Sequence, residues 1–136
     1  MQKSRDVVEK MVDAKPKKIQ LLLAHAADCM SKYDLEGAYK FYEKAVSFSP
    51  EDTDLLDAAG EVAVELGRSE DATRLFRQSI EFRPDENACK YMNLGQLLSG
   101  EDALNLFRKG IEMMQEGKAT SNYLGTRGFA GKNNNE

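Results

Sequence analysis

Ala38-Tyr39-Lys40-Phe41-Tyr42-Glu43-Lys44-Ala45 returns 34 residues later as Ala72-Thr73-Arg74-Leu75-Phe76-Arg77-Gln78-Ser79, and Pro50 returns over the same interval as Pro84. A third copy, Ala103-Leu104-Asn105-Leu106-Phe107 with Gly110, follows the second after 31 residues. In each copy a small residue, an aromatic four positions on and a second small residue three further share one helix face. Ala38, Ala72 and Ala103 are small where two helices cross closely, and Tyr42, Phe76 and Phe107 fill the space beside the crossing. The prolines stop the helix and set the turn into the next copy.

A period near 34 with this order of small and aromatic residues is the second half of a tetratricopeptide repeat. The predicted fold is therefore all-α, a tetratricopeptide-repeat helical solenoid of about three helix pairs with an extra N-terminal helix. Residues 4–14 have apolar Val7, Val8, Met11 and Val12 at helical spacing, and Lys15-Pro16-Lys17-Lys18 is expected to interrupt that helix. The repeats are predicted over 19–50, 53–84 and 87–115. Their helices are 19–31 and 34–48, then 53–66 and 69–82, then roughly 87–98 and 101–115. Gly60 and Gly95 take the close-contact position of the first helices, where Ala26 stands in the first repeat. The turn of the third copy is shortened, so its second helix should start sooner and tilt differently. The domain reading is a basic N-terminal helix and linker (1–18), the repeats (19–116) and a Gly/Ser/Thr/Asn-rich tail (117–136) expected to be disordered.

The formal charge of −4 over 136 residues is unevenly spread. Residues 1–18 hold six Lys/Arg against three Asp/Glu, and residues 117–136 hold three against one; the 98 residues between hold ten against nineteen. An acidic body does not suit direct nucleic-acid binding, which rests on neutralised phosphates. It suits a basic polypeptide. No stretch reaches the ~18 apolar residues of a membrane span, and Met1 to Lys18 lacks the apolar core of a signal peptide. Cys29 and Cys89 stand far apart with no CxxC or nearby histidine, which reads as free thiols in a reducing compartment, cytoplasm or nucleus.

The sharpest pattern outside the core lies on the first helix of the second repeat. At about 100° per residue, Asp54, Asp57, Glu61 and Glu65 fall on one side, and Leu55, Leu56, Ala59, Val62, Ala63 and Leu66 gather on the other. The four acids are thus the candidate partner-binding residues, an electrostatic strip for a Lys/Arg-rich segment. The alternative is a solvated acidic face without a ligand. Repeats that clamp C-terminal carboxylates need Lys, Asn and Arg along the groove; here those positions carry Leu23, Ala27, Ala58, Cys89 and Asn93, so that use is excluded. His25 is the only histidine and has no metal or catalytic partner in the pattern. No nucleophile, phosphate loop or ligand cluster accompanies the carboxylates, and Gly125-x2-Gly128-x2-Gly131 lacks the strand and helix of a phosphate loop. The expectation is a non-enzyme without cofactor, metal or small-molecule substrate.

The stretch from Lys90 to Gly110, Lys-Tyr-Met-Asn-Leu-Gly-Gln-Leu-Leu-Ser-Gly-Glu-Asp-Ala-Leu-Asn-Leu-Phe-Arg-Lys-Gly, is more specific than a generic repeat. It resembles the third repeat of the eukaryotic family of assembly chaperones for the fourth protein of the large ribosomal subunit. Gly60-Glu61-Val62-Ala63-Val64-Glu65-Leu66-Gly67 is similar to that family's second repeat, and the likeness runs over about residues 17–115. The resemblance implies a non-enzymatic chaperone that shields a newly made, very basic ribosomal protein and escorts it to pre-ribosomes, between cytoplasm and nucleus. The reading from another class is a scaffold or adaptor in an unrelated complex.

Overall fold

The computed structural model describes residues 2–117, with side chains from residue 15 onward. The predicted tail, residues 117–136, lies almost wholly outside the described residues. Within them the chain forms six helices: α1 (Gln2–Ser31), α2 (Leu35–Phe48), α3 (Thr53–Glu65), α4 (Ser69–Phe82), α5 (Ala88–Leu97) and α6 (Gly100–Gln115). They form two compact units, the first holding α1 and α2 and the second beginning at Glu51 and holding α3 to α6. In the second unit α3 packs on α4, α5 on α6, and α5 also meets α3 and α4.

The expected interruption at Lys15-Pro16-Lys17-Lys18 is not there: α1 runs through Pro16. A proline's φ is already helical, and an internal proline gives up one backbone hydrogen bond and crowds the carbonyl four residues back, about 3 kcal/mol in all. Pro16 is exposed, so no neighbour packs against the disturbed turn. Downstream, Ala26 is fully buried and Lys18 lies over the Phe48 ring at 5.5 Å, which ties this part of α1 to α2.

Polar residues at the termini set the boundaries. Asp34 caps α2 by accepting from the Gly37 N–H at 3.0 Å, and Asp52 caps α3 by accepting from Asp54 and Leu55. α4 and α6 lack a side-chain cap but carry Glu70, Asp71 and Glu101, Asp102 in their first turns, where the helix dipole favours negative charge. In the third repeat only Leu98 and Ser99 separate α5 from α6, so the second helix starts sooner, as its shortened turn predicts.

The turns at the ends of α1 and α3 are built alike but not from like residues. Asp34 N–H reaches Cys29 O and Arg68 N–H reaches Ala63 O, both at 2.8 Å, each closing around a left-handed residue. That residue is Gly67 (φ 78°) after α3 and Tyr33 (φ 61°) after α1, whereas at the third turn the left-handed residue is Gly100 (φ 67°), the first residue of α6 itself. Tyr33 is 86% exposed, so it gains little packing in exchange for a conformation that disfavours a Cβ. Tyr33→Gly is expected to stabilise the protein by up to about 1 kcal/mol, the strain relieved exceeding glycine's extra chain entropy. A thermal melt checks this, with Gly67→Ala expected to move the midpoint the opposite way.

A candidate basic-segment cleft in the second unit

Two glycines hold the core of this unit open for aromatic rings. A Cβ placed on Gly60 of α3 would lie 2.8 Å from the Phe76 ring, and one on Gly95 of α5 would lie 2.7 Å from the Phe107 ring. The repeated small and aromatic positions therefore mark one contact made twice. Around it, Leu55, Leu56, Ala59, Val62 and Ala63 of α3 are buried, as the helical wheel predicts.

The opposite side of α3 departs from its expected form. Asp57 is not a solvent-facing member of an acid strip; it is 1% exposed. Its Oδ2 accepts a 2.8 Å hydrogen bond from the Asn87 side chain, while Oδ1 has no hydrogen-bond partner. The cause is the packing of α5 against α3, which brings Asn87 onto this face. Asn87 has φ 60° and its Oδ1 also accepts from the Cys89 N–H, so it caps α5 while anchoring α3. Burial pushes the Asp57 carboxyl above its ordinary range, against the opposing pull of the Ser79 hydroxyl, Asn87 and Lys90.

Lys90 completes this polar interior and was not legible in the sequence as a buried group. Fully buried, its Nζ donates to Ser79 O (3.2 Å), Ser79 Oγ (3.0 Å) and Arg83 O (2.6 Å). These are acceptors at the C-terminal end of α4, where the helix dipole favours a cation. The neighbouring Tyr91 hydroxyl donates to Pro84 O at 2.6 Å. The Lys-Tyr pair that opens the Lys90–Gly110 motif thus clamps the turn between α4 and α5 from both residues.

The remaining acids divide. Asp54 is partly buried, Glu61 is partly buried and Glu65 is exposed. Glu61 and Glu65 share a cleft of about 370 Å³ with Val64 of α3, Cys89, Met92 and Asn93 of α5, and Met114 of α6. The cleft walls are mostly apolar, with two carboxylates on one side. Burial first, and then the charges of Asp57 and Glu65, raise the Glu61 carboxyl to about 7. Burial, Glu61 and Asp57 likewise raise the Cys89 thiol, which forms no disulfide among the described residues and is not an activated nucleophile. Among the described residues no His/Cys/Asp/Glu cluster could hold a metal ion, and no helix is long and apolar enough to cross a membrane. His25 of α1 is exposed and stacks on Phe41 with ring centroids 5.1 Å apart.

Glu61 makes stability depend on pH in a defined sense. Its folded value lies above its ordinary 4.5, so its contribution is fully present below about pH 4.5 and is lost as pH rises through about 7. Glu61→Gln is therefore expected to stabilise the protein by about 1–2 kcal/mol at pH 8, allowing for the cleft's contact with solvent, and by nearly nothing at pH 4. Urea unfolding at the two pH values reads the difference.

No protein-family model matches the chain, and no curated protein matches it in sequence. Solved structures do match. MamA superposes with a TM-score of 0.68 at 17% identity, covering 74% of this chain and 56% of that one. The assembly chaperone of RpL4 (Acl4) superposes with a TM-score of 0.66 at 22% identity over 72% of this chain and 40% of that one. The Sgt2 TPR domain from Aspergillus fumigatus gives 0.62 at 18% identity, over 75% and 69%. The chain thus spans about half the length of the first two. At these identities the likeness is one of architecture: the chain has the all-α fold of tetratricopeptide-repeat proteins, and the RpL4 assembly chaperone is among the structures it resembles.

Proposed function

We propose that this chain is a non-enzymatic chaperone that binds and shields a newly made, basic protein of the large ribosomal subunit, for delivery to pre-ribosomes in the nucleus. The observation that carries the reading is the cleft of α3, α5 and α6, whose carboxylates Glu61 and Glu65 face apolar thioether walls with no cation paired to Glu61 among the described residues. An acidic surface of this kind takes the place of ribosomal-RNA phosphates for a basic segment. The fold likeness to the RpL4 assembly chaperone supports the same direction, as does the Lys90–Gly110 motif. Proteins of this fold bind other proteins through helix faces, which also admits a scaffold or adaptor role.

Affinity capture with the full chain from cell extract, followed by mass spectrometry, separates the two. Enrichment of one basic ribosomal protein, present at about 0.1 M salt and lost at about 1 M, is expected for the chaperone. A stable set of non-ribosomal partners would make the chain an adaptor instead.

A further inference from the structure

We propose that the cleft of α3, α5 and α6, with its two carboxylates beside apolar walls, is a socket for one Arg or Lys side chain. The proposal rests on the basic-client reading and names the residue contact within it. The occupant follows from the walls. Val64, Met92 and Met114 supply soft apolar surface suited to an aliphatic stem, and Glu61 and Glu65 stand where its charged head would end. Met92 can lie low in the cleft because Gly110 of α6 has no side chain; a Cβ there would meet the Met92 sulfur. The volume, about 370 Å³, accommodates a guanidinium and its stem with water.

The proton coupling follows from what faces Glu61. From α3 it sees the buried Asp57 and the neighbouring Glu65, both negative. From α5 it sees the Cys89 thiol and the neutral Asn93, and from α6 the apolar Met114. From α4 only the Ser79 hydroxyl reaches this network, through Asp57. Lys90, the buried cation among the described residues of this unit, is committed to Ser79 and the Arg83 carbonyl. With no cation paired to it among the described residues, Glu61 titrates at about 7. An arriving guanidinium or ammonium favours the carboxylate, so binding releases the proton and tightens as pH rises.

Titration calorimetry of the full chain with an end-blocked nona-arginine peptide, at pH 7 in phosphate and in Tris, reads the released proton directly. The expected release is about half a proton per peptide at pH 7, with affinity rising about tenfold between pH 6 and pH 8. Glu61→Gln is expected to abolish the release and flatten the pH profile, whereas Glu70→Gln on α4, a control acid outside the cleft, leaves both as in the wild type. Thermal melts confirm that both variants are folded. Enthalpies independent of buffer, release that persists in Glu61→Gln, or absence of binding at pH 8 would each overturn the socket. Capture of a ribosomal client without proton release would refuse the socket and keep the chaperone; release without such a client would keep the socket and refuse the chaperone.

Discussion

Lys90→Met is expected to destabilise the protein by about 2–4 kcal/mol, although it replaces a charged residue with an apolar one of similar length. The methionine can follow the path of the aliphatic stem but carries no donor. Arg83 O, Ser79 O and Ser79 Oγ then lose a partner, the two Ser79 acceptors in a fully buried position and the Arg83 carbonyl in a partly buried one. Leaving buried acceptors unmet costs more than the hydrogen bonds are worth as net stabilisation, and the loss includes a cation at a helix C-terminus. Asp57 adds to the cost, because Lys90 is the cation that pulls its carboxyl back toward the ionised form. Lys90→Arg is expected not to rescue, since a planar fork cannot converge on three acceptors arranged around a point charge. Lys40→Met on the exposed side of α2 supplies the contrast, expected within about 0.5 kcal/mol of wild type. Chemical denaturation of the three variants measures the series. Adding Asp57→Asn to Lys90→Met should recover part of the loss, because the buried carboxylate no longer needs a counter-charge.

The difference between Lys90 and the rest of the fold shows what a single sequence makes readable. The helices were legible because their apolar and small positions recur at a fixed interval, and the close crossings at Gly60 and Gly95 follow from the same interval. Breaking the first helix at Pro16 overstated a local rule: one lost backbone bond does not end an exposed helix whose following turns are packed. The acid strip was half legible. A helical wheel places Asp57 with Glu61, yet only the approach of α5, bringing Asn87, decides that one is interior and the other lines a cleft. Lys90 gave no signal by type, since lysine is almost never fully buried unless its ammonium is met. Its partners are backbone carbonyls, which sequence composition does not display. The same holds for the walls of the cleft, where Met92 and Met114 come from different helices and read as ordinary core residues.

The second large effect tests whether the repeated glycine and the repeated aromatic are one feature. Phe76→Ala is expected to cost about 3–5 kcal/mol, because the ring is fully buried and its removal leaves a cavity between α3 and α4. Gly60→Ala alone is expected to cost about 1–3 kcal/mol. Its new Cβ would sit 2.8 Å from the Phe76 ring, and that overlap outweighs the gain of about 1 kcal/mol from replacing glycine within a helix. In the Phe76→Ala background the ring is gone, so the sign should reverse and Gly60→Ala should stabilise by up to about 1 kcal/mol. A coupling energy above about 1 kcal/mol in this cycle is the quantitative expectation, and simple additivity would show that the glycine is there for another reason. The Gly95 and Phe107 pair offers the internal comparison. Its overlap is as close, at 2.7 Å, but Phe107 is only partly buried and can swing toward solvent. Gly95→Ala is therefore expected to be milder than Gly60→Ala, with a smaller coupling, even though the two sites occupy the same place in the repeat.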